Sequence, residues 1–373
     1  MTIVLTEIKK KAIYDISKEV LKSSERITIR KVAVYLGKIT SSFPATRFGR
    51  LNYRAIERDK IMALKHSKGN FEGLMTLSAK AKKEVIWWIR NISTTFGVLY
   101  ISNPVVTLTT DASKSGWGAV FEGHQTGGLF TASESDLHIN VLELRAVYFG
   151  LQALCYKLAD IHIRLLIDNT TAVSTINNMG SCRSIQCDNE VKNIWEWTIN
   201  RNNWITAAHI PGKLNIEADL ESRKNETKTE WKLNVSDFTH TTETFAFMPE
   251  VDLFASRTNT QLPNYMSYRP DPYASVVDSF TVNWKNIKFY AFPPFSCINR
   301  VIQKVVEDEA TGLIIAPDWP NQIWYPSLLK ICVHEPIVLP YRKDLLHLPN
   351  QPEQIHQIWD RLPLLACLVS GKH

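Results

Sequence analysis

The sequence predicts an α/β protein. A mixed five-stranded sheet with flanking helices is expected over residues 101–224, with a helical segment (1–100) before it. A linker (225–245) and a second, smaller α/β module (246–373) are expected after it. Three observations carry this reading. Apolar β-branched runs and helical-period stripes alternate from Val105 to Arg223 in the order β-β-β-α-β-α-α-β-α. Such an order builds a sheet from a hairpin plus βαβ units, with helices on its faces. Four acids fall at strand ends or on helices within that stretch, and basic residues crowd the first hundred positions.

Val105 to Thr110 reads as a buried strand ending at Asp111. Ala112 to Ser115 makes a hairpin loop into a second strand, Gly116 to Phe121, and Gly127 to Thr131 supplies a third. The helix expected from Asn140 to Cys155 carries Leu144, Val147, Tyr148, Leu151, Leu154 and Cys155 as one apolar stripe, with Glu143 beside it. Ile161 to Ile167 is a fourth strand, ending at Asp168. Asn169 to Met179 reads as a short helix closed by Gly180. A further helix, Ile185 to Asn200, bears Trp195 and Trp197, and Trp204 to Ile210 is the fifth strand. After the Pro211-Gly212 turn, Asn215 is a good N-cap for the helix that carries Asp219.

Asp111, Glu143, Asp168 and Asp219 are therefore expected to converge, two from strand ends and two from helices, and to hold two Mg²⁺ ions, with Mn²⁺ as a substitute. Mg²⁺ is a hard ion that prefers oxygen ligands. Two such ions roughly 4 Å apart stabilise both the attacking and the leaving oxygen of an in-line displacement at phosphorus. Four crowded acids without metal would repel one another. The plainer alternative is four ordinary surface acids.

The residues that carry a family resemblance are Thr110-Asp111-Ala112-Ser113 with Gly116-Trp117-Gly118-Ala119, Asn140 to Ala146 around Glu143, Asp168-Asn169-Thr170-Thr171-Ala172, and His209 to Asp219. Together, and in this order, they resemble a retroelement-type ribonuclease H domain over about a third of the chain. The resemblance implies a ribonuclease H-like mixed five-stranded sheet and hydrolysis of the RNA strand of RNA–DNA hybrids. The histidine-bearing loop that cellular members carry before the last acid is short here. His209 is read as packing or binding backbone rather than shuttling protons.

The 45% apolar and 21% charged composition is ordinary for a soluble protein. No apolar run is long enough to span a membrane, and the first residues lack a signal core. The cysteines at 155, 182, 187, 297, 332 and 367 are scattered without metal spacing, which fits reduced thiols in the cytoplasm or nucleus. Residues 1–100 hold 20 Lys or Arg against 8 Asp or Glu, an excess of +12 in a chain of net +6. A basic front end joined to an acidic core suggests a polyanion partner, and the resemblance implies that this partner is an RNA–DNA hybrid.

Helices are expected at Ile27–Gly37, Leu51–Ser67 and Leu77–Ile92, the last with Trp87 and Trp88. Ser42-Phe43-Pro44-Ala45, Leu51 to Lys60 and Met75 to Ser78 resemble the thumb-and-connection part of a DIRS-like retrotransposon reverse transcriptase. That implies a grip on template–primer duplex. The aspartate-rich signature of the polymerase palm is absent, so the resemblance implies association with, or fusion to, a palm elsewhere.

In the last third, Val251–Ser256, Phe289–Phe295 and Gly312–Trp319 read as strands with a helix at Ile298–Val306, and Gln351–Leu368 reads as a weakly amphipathic helix. Phe292-Pro293-Pro294-Phe295 gives a weaker resemblance to the Dam-like adenine methyltransferase region of DIRS-like elements. In that family an acid or amide precedes Pro-Pro and orients the target amine; Phe292 cannot. Asp252 and Asp318 could contact a cofactor there; the plainer alternative is that Asp252, Pro293, Pro294 and Asp318 shape turns in a structural module. The functional expectation is a metal-dependent ribonuclease H. Its alternatives are an inactive nucleic-acid-binding remnant and an adenine methyltransferase-like protein.

Overall fold

The computed structural model describes residues 1–181, 183–224 and 231–372. Cys182 and residues 225–230, the start of the expected linker, lie outside them. The chain forms two compact units, residues 1–107 with 158–209 and residues 108–157 with 210–373.

Four helices open the chain: α1 (Glu7–Lys22), α2 (Ile29–Ser41), α3 (Arg54–His66) and α4 (Ala79–Asn91). Thr6, Thr28 and Ser78 cap α1, α2 and α4, each side chain accepting from the backbone N–H three residues on. Helix α1 has only a weak sequence signal, since its buried positions Ile13, Ser17 and Val20 include a serine and make a sparse stripe. Val20, Val32, Tyr35, Ile39, Ile56, Val85 and Trp88 form one buried core. Trp88 is fully buried in it, donating from Nε1 to the Asn52 carbonyl oxygen at 2.7 Å, with Trp87 edge-on beside it.

Next come β1 (Val106–Ala112), β2 (Gly116–Phe121), β3 (His124–Leu129), α5 (Ile139–Leu154), β4 (His162–Ile167), α6 (Thr170–Asn177), α7 (Ile185–Ile199), β5 (Trp204–His209) and α8 (Ile216–Arg223). The expected mixed five-stranded sheet is present, in the order β3-β2-β1-β4-β5. β1, β2 and β3 pair antiparallel, β4 and β5 parallel. The first unit is tied internally by buried ion pairs. Glu84 of α4 accepts from the Ala55 and Ile56 N–H groups and from Lys192 of α7, while Arg58 of α3 meets Asp188 of α7 at 2.9 Å. Burial pushes the Glu84 carboxyl above its ordinary range, against the pull of Lys192.

The last third holds α9 (Val235–Thr244), β6 (Val251–Asp252), β7 (Lys288–Ala291), α10 (Ile298–Glu307), β8 (Thr311–Pro317), α11 (Tyr325–Lys330), β9 (Ile337–Val338) and β10 (Leu364–Ser370). Its sheet runs β6-β7-β8-β10-β9, with β6, β7 and β8 parallel and β10 antiparallel to β8 and β9. Helix α10 is the crossover between β7 and β8, and it buries Ile298, Val301, Ile302 and Val305. Two expectations fail here. Residues 235–244, placed in the linker, form α9, whose Phe238 packs edge-on against Tyr290. The expected helix at 351–368 is instead turns followed by β10. Leu365, Cys367 and Val369 enter one core cluster, Leu364 and Ala366 another. A strand buried on both faces is apolar throughout, and its run shows no alternation to separate it from a helix.

Candidate metal centre

Three of the four acids meet. Carboxylate oxygens of Asp111, Glu143 and Asp168 lie within 4.8 Å of one another. Asp111 and Glu143 are each 4% exposed, and Asp168 is half-buried. Asp111 is the sixth residue of β1, which continues one residue beyond the expected end to Ala112, and it pairs with Gly118 of β2. Glu143 lies on α5, just past its first turn. Asp168 directly follows β4, and Asn169 after it caps α6 by accepting from the Ala172 N–H at 3.0 Å.

Asp219 lies on α8, outside that group of three. Its carboxylate accepts from Arg223 Nε at 2.7 Å, four residues on, and its side chain is 38% exposed. His209 ends β5 and is exposed.

Two residues of this centre were not singled out by sequence for it. Ser222 Oγ, on α8, donates to Asp111 Oδ2 at 2.6 Å, and Ser222 is 1% exposed. Asn215 stands at the N-cap of α8, yet its side chain makes no cap bond. Its Nδ2 donates to the Thr110 carbonyl oxygen at 3.1 Å and lies 3.4 Å from Asp111 Oδ1. The buried Asn215 Oδ1 has no hydrogen-bond partner among the described residues.

Helix α8 reaches this position because the hairpin beneath it is glycine-rich. A Cβ on Gly118 would overlap the Ala218 carbonyl oxygen and stand 2.7 Å from the Ser222 nitrogen. One on Gly116 would stand 2.9 Å from the Ser222 carbonyl oxygen. Glycine inside a strand marks a close backbone approach of this kind.

Two carboxylates about 5 Å apart repel by roughly 3 kcal/mol at an effective dielectric near 20. An all-oxygen donor set holding such charge out of bulk water suits a hard divalent cation. The residues present fit such an ion.

In the last third, a cavity of about 430 Å³ lies at the carboxyl ends of β6 and β7, lined by Leu253, Phe254, Arg257, Phe280, Phe292 and Arg300 among others. Asp252 is buried and accepts from the Gln261 and Phe254 N–H groups at 3.0 and 3.4 Å. Burial pushes its carboxyl up to about 6. Asp318 accepts from the Tyr325 hydroxyl at 2.6 Å. Phe292 follows β7 and faces Phe295, ring centroids 6.4 Å apart.

No family model matches the chain, and no curated protein sequence matches it. Among solved structures, ribonuclease H1 from the halophilic archaeon Halobacterium salinarum NRC-1 is 19% identical over 31% of this chain and 92% of its own, with a TM-score of 0.26. LC11-RNase H1 in complex with an RNA/DNA hybrid is 21% identical over 31% of this chain and 91% of its own, TM-score 0.26. The foamy viral protease-reverse transcriptase in complex with RNA/DNA hybrid is 12% identical over 55% of this chain and 27% of its own, TM-score 0.23. No helix among the described residues is long and apolar enough to cross a membrane.

Proposed function

We propose that this chain is a ribonuclease H of retroelement origin, a metal-dependent endonuclease that hydrolyses the RNA strand of RNA–DNA hybrids. The observation that carries the reading is the trio Asp111, Glu143 and Asp168, with oxygens within 4.8 Å and two of the three side chains withdrawn from water. A bound cation relieves the repulsion of buried acids at that spacing, which otherwise keeps one of them protonated. Asp111, Glu143 and Asp168 would hold Mg²⁺, with Mn²⁺ as a substitute, and Asp219 is the fourth acid of the proposed set. Bound, the ions supply the positive charge that an in-line displacement at a phosphodiester requires. The protein's own part is to fix its carboxylates: Asp111 through Ser222 and Asn215, Asp168 through its place at the end of β4. The excess of +12 on residues 1–100 supports a nucleic-acid partner, and the resemblance of that segment supports work beside a reverse transcriptase palm.

The test is cleavage of a labelled RNA–DNA hybrid by the full chain, with Mg²⁺ and with EDTA, beside Asp111→Asn. Metal-dependent cutting that the variant loses is the expected result. Salt-sensitive hybrid binding without cutting would instead identify an inactive remnant.

The cavity at the carboxyl ends of β6 and β7 favours a second reading for the last third, since α/β sheets bind ligands at that edge. A methyl-transfer module would bind S-adenosylmethionine there, although Phe292 offers the target amine no hydrogen bond. Calorimetric titration of the full chain with S-adenosylmethionine decides it, and no heat of binding removes the reading.

A further inference from the structure

Asp111 is anchored from outside its own strand. The Ser222 hydroxyl has one proton and two acceptors in reach, Asp111 Oδ2 at 2.6 Å and the Asp219 carbonyl oxygen at 2.9 Å. A serine inside a helix commonly bonds back to a carbonyl of the preceding turn. Here the shorter contact is to a carboxylate, and the charge-assisted bond is the stronger of the two. Both partners are nearly excluded from water, Ser222 at 1% and Asp111 at 4% exposed, so no solvent molecule replaces the hydroxyl without rearrangement. The neighbouring Asn215 Nδ2, at 3.4 Å from Oδ1, is too distant to fix the carboxylate alone.

We infer that Ser222 is a positioning residue of the metal centre, so that α8 serves the site through this hydroxyl as well as through Asp219. The inference rests on the proposed metal-dependent function and deepens it. With Oδ2 held by the hydroxyl, rotation of the carboxylate about its Cβ–Cγ bond is restrained, and it is pre-oriented before an ion arrives. Partners that orient a ligand in this way change metal affinity by about 10–100-fold when removed. The glycines at 116 and 118 belong to the same device, because they let the backbone around Ser222 approach β2.

The experiment is Mn²⁺ binding by the full chain, followed by electron paramagnetic resonance, in the wild type, Ser222→Ala and Ser222→Cys. Both variants should bind Mn²⁺ about tenfold or more weakly. The half-saturating Mg²⁺ concentration for hybrid cleavage should rise in parallel, and excess Mg²⁺ should recover part of the lost rate. Cysteine keeps the side-chain size but donates poorly, so a packing role alone would leave Ser222→Cys unaffected. Rescue by excess metal likewise separates positioning from damage to the fold. Wild-type Mn²⁺ affinity in both variants overturns the inference and leaves the nuclease reading intact. No Mn²⁺ binding by the wild type overturns the metal centre itself, and the inference with it.

Discussion

Gly118 and Ala218 are in backbone contact, the glycine of β2 lying where any Cβ would overlap the Ala218 carbonyl oxygen of α8. The helix carrying Ser222 and Asp219 is therefore seated on the strand opposite Asp111 at a distance that only glycine permits. Gly118→Ala should lift α8. Overpacking of this kind destabilises by about 1–3 kcal/mol, and a rigid backbone obstacle places this case at the upper end. A lowered urea midpoint, with weakened Mn²⁺ binding in the protein that remains folded, is the expected outcome. An unchanged midpoint would show that the helix moves away without loss.

Arg257 and Glu134 form a two-pronged ion pair, at 3.0 and 2.9 Å, with both side chains 14% exposed. Arg257 also donates to the Leu129 carbonyl oxygen and covers the Phe149 ring at 4.4 Å. Burial alone would raise the Glu134 carboxyl. Arg257, the Thr131 N–H and Arg145 together outweigh it and hold it below the ordinary range. A depressed carboxylate contributes stability above its unfolded pKa and loses it as pH falls through the folded one. Arg257→Met leaves Glu134 with Arg145 at 3.2 Å, and breaking a buried pair costs about 3 kcal/mol or more. Urea denaturation should show that deficit at pH 7, and the gap between wild type and variant should narrow below pH 4.

These contacts mark how far the sequence could be read. The hairpin at 106–121, helix α5 and the βαβ unit around Asp168 were legible because their patterns are local: alternation, a helical stripe, and an acid where an apolar run stops. The gathering of Asp111, Glu143 and Asp168 followed from that order. Ser222 was not legible, since a serine three residues after an acid on a helix is ordinary until the fold brings Asp111 to it. Asn215 reads as a cap and occupies the N-cap position, but Thr110 and Asp111 compete for its side chain. α1 and α9 escaped because their buried faces include Ser17 and Thr241, polar residues that satisfy themselves on their own helix backbone. The β10 run reads as a helix because packing on both faces removes the period that would identify a strand.

Asp252 gives the last third a pH dependence of its own. Its carboxyl stands at about 6 against an ordinary 3.8, chiefly through burial. A group raised in the folded state stabilises fully below the unfolded value, and that contribution is lost as pH rises through the folded one. Between pH 7 and pH 5 the wild type should gain about 1 kcal/mol from this residue. Asp252→Asn carries no proton to bind, so the difference in denaturation midpoint between the two proteins should change by that amount across the window. A constant difference would show that Asp252 titrates as an ordinary carboxylate.

Asp219 and Asp168 should differ in what their loss does. Asp168 belongs to the group of three, so Asp168→Asn removes a carboxylate from it and relieves its repulsion. Mn²⁺ binding should fall sharply and hybrid cleavage should be lost. Asp219 lies outside the group, paired with Arg223 on an exposed helix face, and such i,i+4 pairs contribute only about 0.3–0.5 kcal/mol. Substrate phosphate can displace a bond of that size, freeing Asp219 to join the proposed set during turnover. Asp219→Asn should therefore leave Mn²⁺ binding to the free protein within about twofold of wild type, a change of roughly 0.4 kcal/mol, while lowering cleavage. Equal loss of Mn²⁺ binding in both variants would place Asp219 among the ligands of the resting protein and remove the distinction.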